Sequence, residues 1–162
     1  MKLPFALHAQ KSRALILLCV SLVVLTGCLP AATEKTPEAW VTIGSQRVAT
    51  EMADTPEKQS KGLGYRDSLA WGNGMYFPYA HAGIYSFWMR GMRFAIDIIW
   101  IRGGRIVDIS RDVPFAPGQN GPTIRPQEAA DAVFEVPAGY ASASGWRIGD
   151  RVKLDRNEIP KY

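Results

Sequence analysis

Asp97 is the residue whose neighbours demand a chemical explanation. It sits between Ile96 and Ile98 in the run FAIDIIWI (residues 94–101), which carries no other charge. A carboxylate buried alone is very costly, so it must meet a cation, collect hydrogen-bond donors or hold a proton. Arg66, Arg90 and Arg93 are the cations on offer. Two roles follow: a structural fastening, as an ion pair or a carboxylate accepting loop N–H groups, or an acid at the floor of a pocket. Glu135 stands in a similar setting, Val133-Phe134-Glu135-Val136. Carboxyls on adjacent strands can form the acid–base pair that glycoside hydrolysis uses. Trp88, Met89 and Trp100 either fill the core or wall a ligand site. Arg66 follows Gly62-Leu63-Gly64, so its guanidinium is placed to reach solvent, a ligand or Asp97.

Other chemistries have no residues to carry them. There is no phosphate-cradling glycine loop with Lys, no G-x-S-x-G turn and no H-E-x-x-H. Beyond residue 28 one histidine remains, His81, in the segment Tyr79–Gly83, which reads as a solvated loop. No cysteine follows Cys28, so the sequence implies no disulfide, metal site or cofactor. The chain has 162 residues and a formal charge of +4, but three of its nineteen basic residues (Lys2, Lys11, Arg13) precede residue 28. The rest balances sixteen bases against fifteen acids. That near-neutral body gives no electrostatic case for nucleic-acid binding.

Positioning these residues falls to a series of short strands. Trp40–Ile43 and Gln46–Met52 are β-type segments joined by Gly44-Ser45, which suits a two-residue hairpin. Thr55-Pro56 caps and opens a helix over Pro56–Lys61 that stops near Gly62 or Gly64. Residues 66–74 read as loop, and Met75–Phe77 as a short strand ended by Pro78. Ile84–Met89 and Phe94–Ile101 are apolar at both parities, which predicts central strands covered on both faces. Gly103-Gly104 turns the chain into a strand over Arg105–Val113. Residues 114–126 hold four prolines and two glycines and must loop. Ala132–Val136 is a strand, Ala138–Ser144 a short helical turn, and Arg151–Leu154 a last strand. The expectation is a mainly β single domain over residues 39–162. It is an antiparallel sandwich or partly open barrel of seven or eight strands with one or two short helices.

Residues 1–28 read as an address. After the positive start, Ala14–Leu25 is an uncharged run of twelve residues, too short to span roughly 30 Å of hydrocarbon at about 1.5 Å per residue. It ends in Leu25-Thr26-Gly27-Cys28, which resembles the lipobox of bacterial lipoproteins. The resemblance implies cleavage after Gly27 and acylation of Cys28, which anchors the protein on a membrane. Residues 28–38 are then a lipidated cysteine and a Pro/Ala/Thr-rich tether. Leu29 is not the aspartate that resembles an inner-membrane retention signal, which favours the outer membrane. The expected location is the cell envelope, facing the periplasm.

A wider resemblance rests on a series of segments. These are Gly62-Leu63-Gly64-Tyr65-Arg66, Gly74-Met75-Tyr76-Phe77, Phe87-Trp88-Met89-Arg90-Gly91-Met92, Ile96-Asp97-Ile98-Ile99-Trp100-Ile101, Phe134-Glu135-Val136-Pro137-Ala138-Gly139 and Gly149-Asp150. In this order they resemble domain-of-unknown-function family 192, over roughly Trp40 to Leu154. The resemblance implies a compact β-rich fold with a short helix and no established activity, cofactor or substrate. Gly64 stands where that family usually has Met, and Gly91-Met92-Arg93 replaces a more polar turn. The leading expectation is a small-ligand- or partner-binding accessory module of the envelope, its pocket formed by Arg66, Trp88, Asp97 and the 114–126 loop. The alternative is a hydrolase or lyase acting on an envelope polymer through Asp97 and Glu135.

Overall fold

The computed structural model describes residues 36–157; Cys28, the leader before it and most of the tether lie outside the described residues. Nine strands and two short helices follow in the order β1 (Ala39–Ile43), β2 (Gln46–Met52), α1 (Pro56–Lys61), β3 (Asn73–Gly83), β4 (Phe87–Trp88), β5 (Ile96–Arg102), β6 (Arg105–Val113), β7 (Thr123–Ile124), β8 (Ala130–Pro137), α2 (Tyr140–Ala143) and β9 (Val152–Arg156). Seven strands form one sheet in the order β6-β5-β8-β3-β2-β1-β9, and β4 pairs with β7 in a separate ribbon.

The sheet closes on itself at one end. Arg105 bridges Arg151, Ile106 N–H donates to the Asp150 carbonyl (3.0 Å) and Val152 N–H to that of Gly104 (2.8 Å). These bonds join edge strands β6 and β9, so of the two expected forms the partly open barrel is the one adopted. Every strand of the sheet supplies the concave interior, with Val41, Val48, Tyr76, Phe134, Ile99, Ile106 and Val152 among its residues. Trp146 and α2 residues Tyr140 and Ala141 pack into the same cluster. A second cluster on the convex face holds Met75, Phe77, Ile98, Trp100 and Val133, covered by Leu63, Met89 and Met92. Strands β3, β5 and β8 are therefore buried on both faces, and β5 reads as a near-continuous apolar run for that reason.

Four local expectations change. Pairing is antiparallel except between β2 and β3, which run parallel; a parallel pair needs a crossover, and α1 with the loop after it provides one. β3 continues past Pro78, which still opposes Ala132, and shifts register before Gly83. His81 therefore lies in β3 rather than in a loop. Ile84–Met89 is not a central strand. Its alternate residues Tyr85, Phe87 and Met89 face the convex cluster, while Ile84 and Trp88 are exposed. This is a half-buried cover whose two-residue core pairs Phe87 with Ile124 and Trp88 with Thr123, so the 114–126 loop contains a short strand. The tether also ends early. Glu38 accepts from Met52 N–H at 3.0 Å, and Asn157 binds the Pro37 carbonyl at 2.8 Å.

Candidate functional site

Asp97 is fully buried on β5, and among the described residues no arginine is its partner. Its Oδ1 accepts from Asp112 N–H at 2.8 Å and Gly139 N–H at 3.2 Å. Its Oδ2 accepts from Ala141 N–H at 2.9 Å. Two of those donors belong to the start of α2, whose N-cap Gly139 has no side chain to offer. Asp97 thus caps a helix 44 residues away in sequence and holds it in the barrel mouth. Of the two roles open to it, the structure assigns the carboxylate that accepts loop N–H groups.

The expected Asp97–Glu135 acid–base pair does not form. Asp97 opposes Val136, and Glu135 opposes Ile98. Val136 belongs to the concave cluster and Ile98 to the convex one. Residues paired across strands share a face, and neighbours along a strand alternate. The two carboxyls therefore leave opposite faces of one sheet.

Glu135 lies on the convex side, in a row running Glu51, Met75, Glu135 and Ile98 across β2, β3, β8 and β5. It is 6% exposed, and its Oε2 has no hydrogen-bond partner among the described residues. Burial pushes its carboxyl up to about 8, against a smaller opposing pull from Arg66. Arg66 itself makes a two-pronged ion pair with Glu51, Nη1 to Oε1 at 2.5 Å and Nη2 to Oε2 at 3.0 Å. It is a flanking charge beside Glu135, and the expected Arg66–Asp97 contact is absent.

Above Glu135 opens a pocket of about 200 Å³ between the α1 end and the β4 segment. Phe77, Phe87, Tyr79, Leu63 and Met92 line it, with Trp88, Lys61 and Arg90 at its edge. The Phe77 and Phe87 rings meet edge-on, centroids 5.0 Å apart. Arg90 lies over the half-exposed Trp88 ring, 5.0 Å from its centroid. Burial foremost, then Tyr85 and Glu135, raise the Tyr79 hydroxyl to about 12. Tyr65 N–H binds the Gly91 carbonyl at 2.8 Å, fastening one rim to the other. Gly64 permits that closeness: a Cβ there would lie 3.0 Å from the Lys61 carbonyl oxygen and 3.2 Å from that of Arg90.

Of the residues singled out from sequence, Trp88 and Glu135 share this pocket, Arg66 flanks it and Asp97 has no part in it. The 114–126 loop lines a different hollow of about 540 Å³ with Tyr65, Arg90 and Arg93. Lys61, Phe77 and Phe87 were not singled out, and Arg90 only as a cation on offer to Asp97. The alternation of residues 84–90 was the available signal, because it separates inward Phe87 from outward Trp88 and Arg90. Among the described residues no group of three His, Cys, Asp or Glu is placed to hold a metal, and no helix is long and apolar enough to cross a membrane.

Fold and pocket together define a small half-barrel domain with a carboxyl-floored, aromatic-walled recess. The family model of domain-of-unknown-function family 192 (DUF192, Uncharacterized ACR) matches residues 39–154, and the chain belongs to that family. A protein of unknown function from Novosphingobium aromaticivorans is 28% identical, with a TM-score of 0.64 and coverage of 70% of this chain and 83% of that one. A proposed transcription regulator from Sinorhizobium meliloti is 26% identical, with a TM-score of 0.63 and coverage of 72% and 91%. Among the curated proteins nothing matches.

Proposed function

We propose that this protein is a lipid-anchored envelope module that binds a small ligand in the Glu135 pocket, on the periplasmic side of the membrane and with outer-membrane residence favoured. One observation carries the binding role: a buried carboxyl with an unpartnered oxygen lines an aromatic-walled opening. Buried polar atoms are nearly always paired, so a carboxyl that lines a cavity with one oxygen unpaired among the described residues calls for a partner from outside. The pocket is smaller than the roughly 300–1,000 Å³ of drug-sized sites, which limits the occupant to a fragment-sized molecule. The anchor rests on Leu25–Cys28, and from Cys28 to Pro37 a stretched chain reaches about 30 Å, enough to clear a lipid surface. Nothing favours the hydrolase alternative, since Glu135 has no second carboxyl opposite it in the pocket lining.

Two measurements test this reading. Protein purified with its lipid from its own envelope should release a small molecule into organic solvent, detected by mass spectrometry. A Trp88→Ala, Phe87→Ala variant should release none; equal release from both would defeat the pocket. Cys28→Ala should leave the precursor uncleaved and unlabelled by radioactive palmitate, and normal labelling would defeat the anchor.

A further inference from the structure

We propose that the Glu135 pocket takes a small organic anion, its charged group at the mouth against Lys61 and Arg90 and its far end accepting a hydrogen bond from Glu135. This inference rests on the binding role above and names the class of ligand.

The mouth sets the charge. Among the residues that line the pocket, Glu135 is the sole acid, and Lys61 and Arg90 are both basic. Among the described residues neither base is drawn into a salt bridge. Arg90 is instead seated on the Trp88 ring, which holds its guanidinium at the opening with its donors unspent. An ammonium ligand would have to pass both cations, with Arg66 behind them. Arg66 is already engaged by Glu51, so it adds background potential and no contact.

The floor sets the other end. The Glu135 carboxyl lines the pocket, 6% exposed, and its inner oxygen Oε2 has no hydrogen-bond partner among the described residues. Burial keeps its proton in place to about pH 8, so at neutral pH it is a hydrogen-bond donor awaiting an acceptor. The groups facing it are Arg66 from the loop after α1, Glu51 across β2 and β3, and Tyr79 from β3, with Lys61 and Arg90 farther out. Tyr79 stays protonated throughout this range. Between mouth and floor, Phe77 and Phe87, packed edge to face, give the pocket an apolar wall against which a flat body can lie. The fitting molecule is a planar carboxylate with a lone pair opposite its charge.

Isonicotinate is such a molecule and serves as the probe. Benzoate lacks its ring nitrogen, isonicotinamide lacks its charge, and the aminomethyl analogue reverses that charge. Calorimetric titrations use the full lipidated chain in detergent micelles, in buffer free of carboxylate and phosphate. Isonicotinate should bind most tightly, and benzoate about tenfold more weakly. Lys61→Gln and Arg90→Gln should each cost about fivefold. Affinity should fall as pH rises through about 8, when ionised Glu135 would repel the anion. Glu135→Gln keeps an N–H donor, so binding should persist and the pH step vanish. Tightest binding of the aminomethyl analogue, or equal binding of isonicotinate and benzoate, overturns the anion class while the pocket stands as a ligand site. Silence from all four probes also overturns the class, and the binding role itself falls only if natively purified protein is empty too.

Discussion

Asp97 and Glu135 sit on neighbouring strands, β5 and β8, one position out of register, and their side chains leave opposite faces of the sheet. Both are buried carboxyls in apolar strands. Asp97 meets three backbone N–H donors at 2.8 to 3.2 Å, whereas Glu135 lines a cavity and keeps one oxygen without a partner among the described residues. The difference teaches that burial alone does not mark a site. A buried acid whose acceptor capacity is met from its own fold is a fastener. One left unmet beside an opening is available to something that enters.

The comparison can be broken most directly at Asp97. Asp97→Ala strands three N–H groups and uncaps α2, so unfolding in urea should show a loss of about 5 kcal/mol. A loss under about 1 kcal/mol would erase the distinction between the two acids.

Next in size is a dependence on pH that belongs to Glu135. Its folded-state value is raised to about 8 from an ordinary 4.5, so the folded protein holds its proton more tightly than the unfolded chain. The resulting stability is fully present below pH 4.5 and is lost as pH rises through about 8. Mid-window the slope should approach about 1.4 kcal/mol per pH unit. Thermal melts of Glu135→Gln should lack that slope, and an unchanged slope would place the titration elsewhere.

A smaller effect sharpens the contrast from the flank. Arg66→Met removes a partly exposed ion pair, for which a loss of up to about 1 kcal/mol in the same urea assay is expected. Because Arg66 pulls the Glu135 value down, the pH window should also move upward in this variant. The least effect is expected from Arg93→Gln, which breaks an exposed pair with Asp67; its melting curve should overlay that of the parent.

Much of the fold was legible because its signals are local. Gly44-Ser45 and Gly103-Gly104 mark turns, and both hairpins formed with β1 against β2 and β5 against β6. Thr55-Pro56 opens α1, with Thr55 Oγ accepting from Lys58 N–H at 3.3 Å. Residues 84–89 misled because apolar residues at both parities suit a central strand, but here one parity covers the convex core and the other stays exposed at Ile84 and Trp88. The parallel register of β2 and β3 was invisible for a related reason: it depends on where the chain returns after α1.

The site divides in the same way. Neighbouring residues alone determined that Asp97 and Glu135 would be buried, that the domain would be mainly β, and that its family would be recognisable from short motifs. Tertiary structure alone decided the face each acid occupies, the donors that reach Asp97 from residues 112, 139 and 141, the capture of Arg66 by Glu51 and the opening above Glu135. Burial follows from the apolarity of adjacent side chains, which the chain carries locally. Partnership follows from register and crossover, where a shift of one residue sends a side chain to the other side of the sheet.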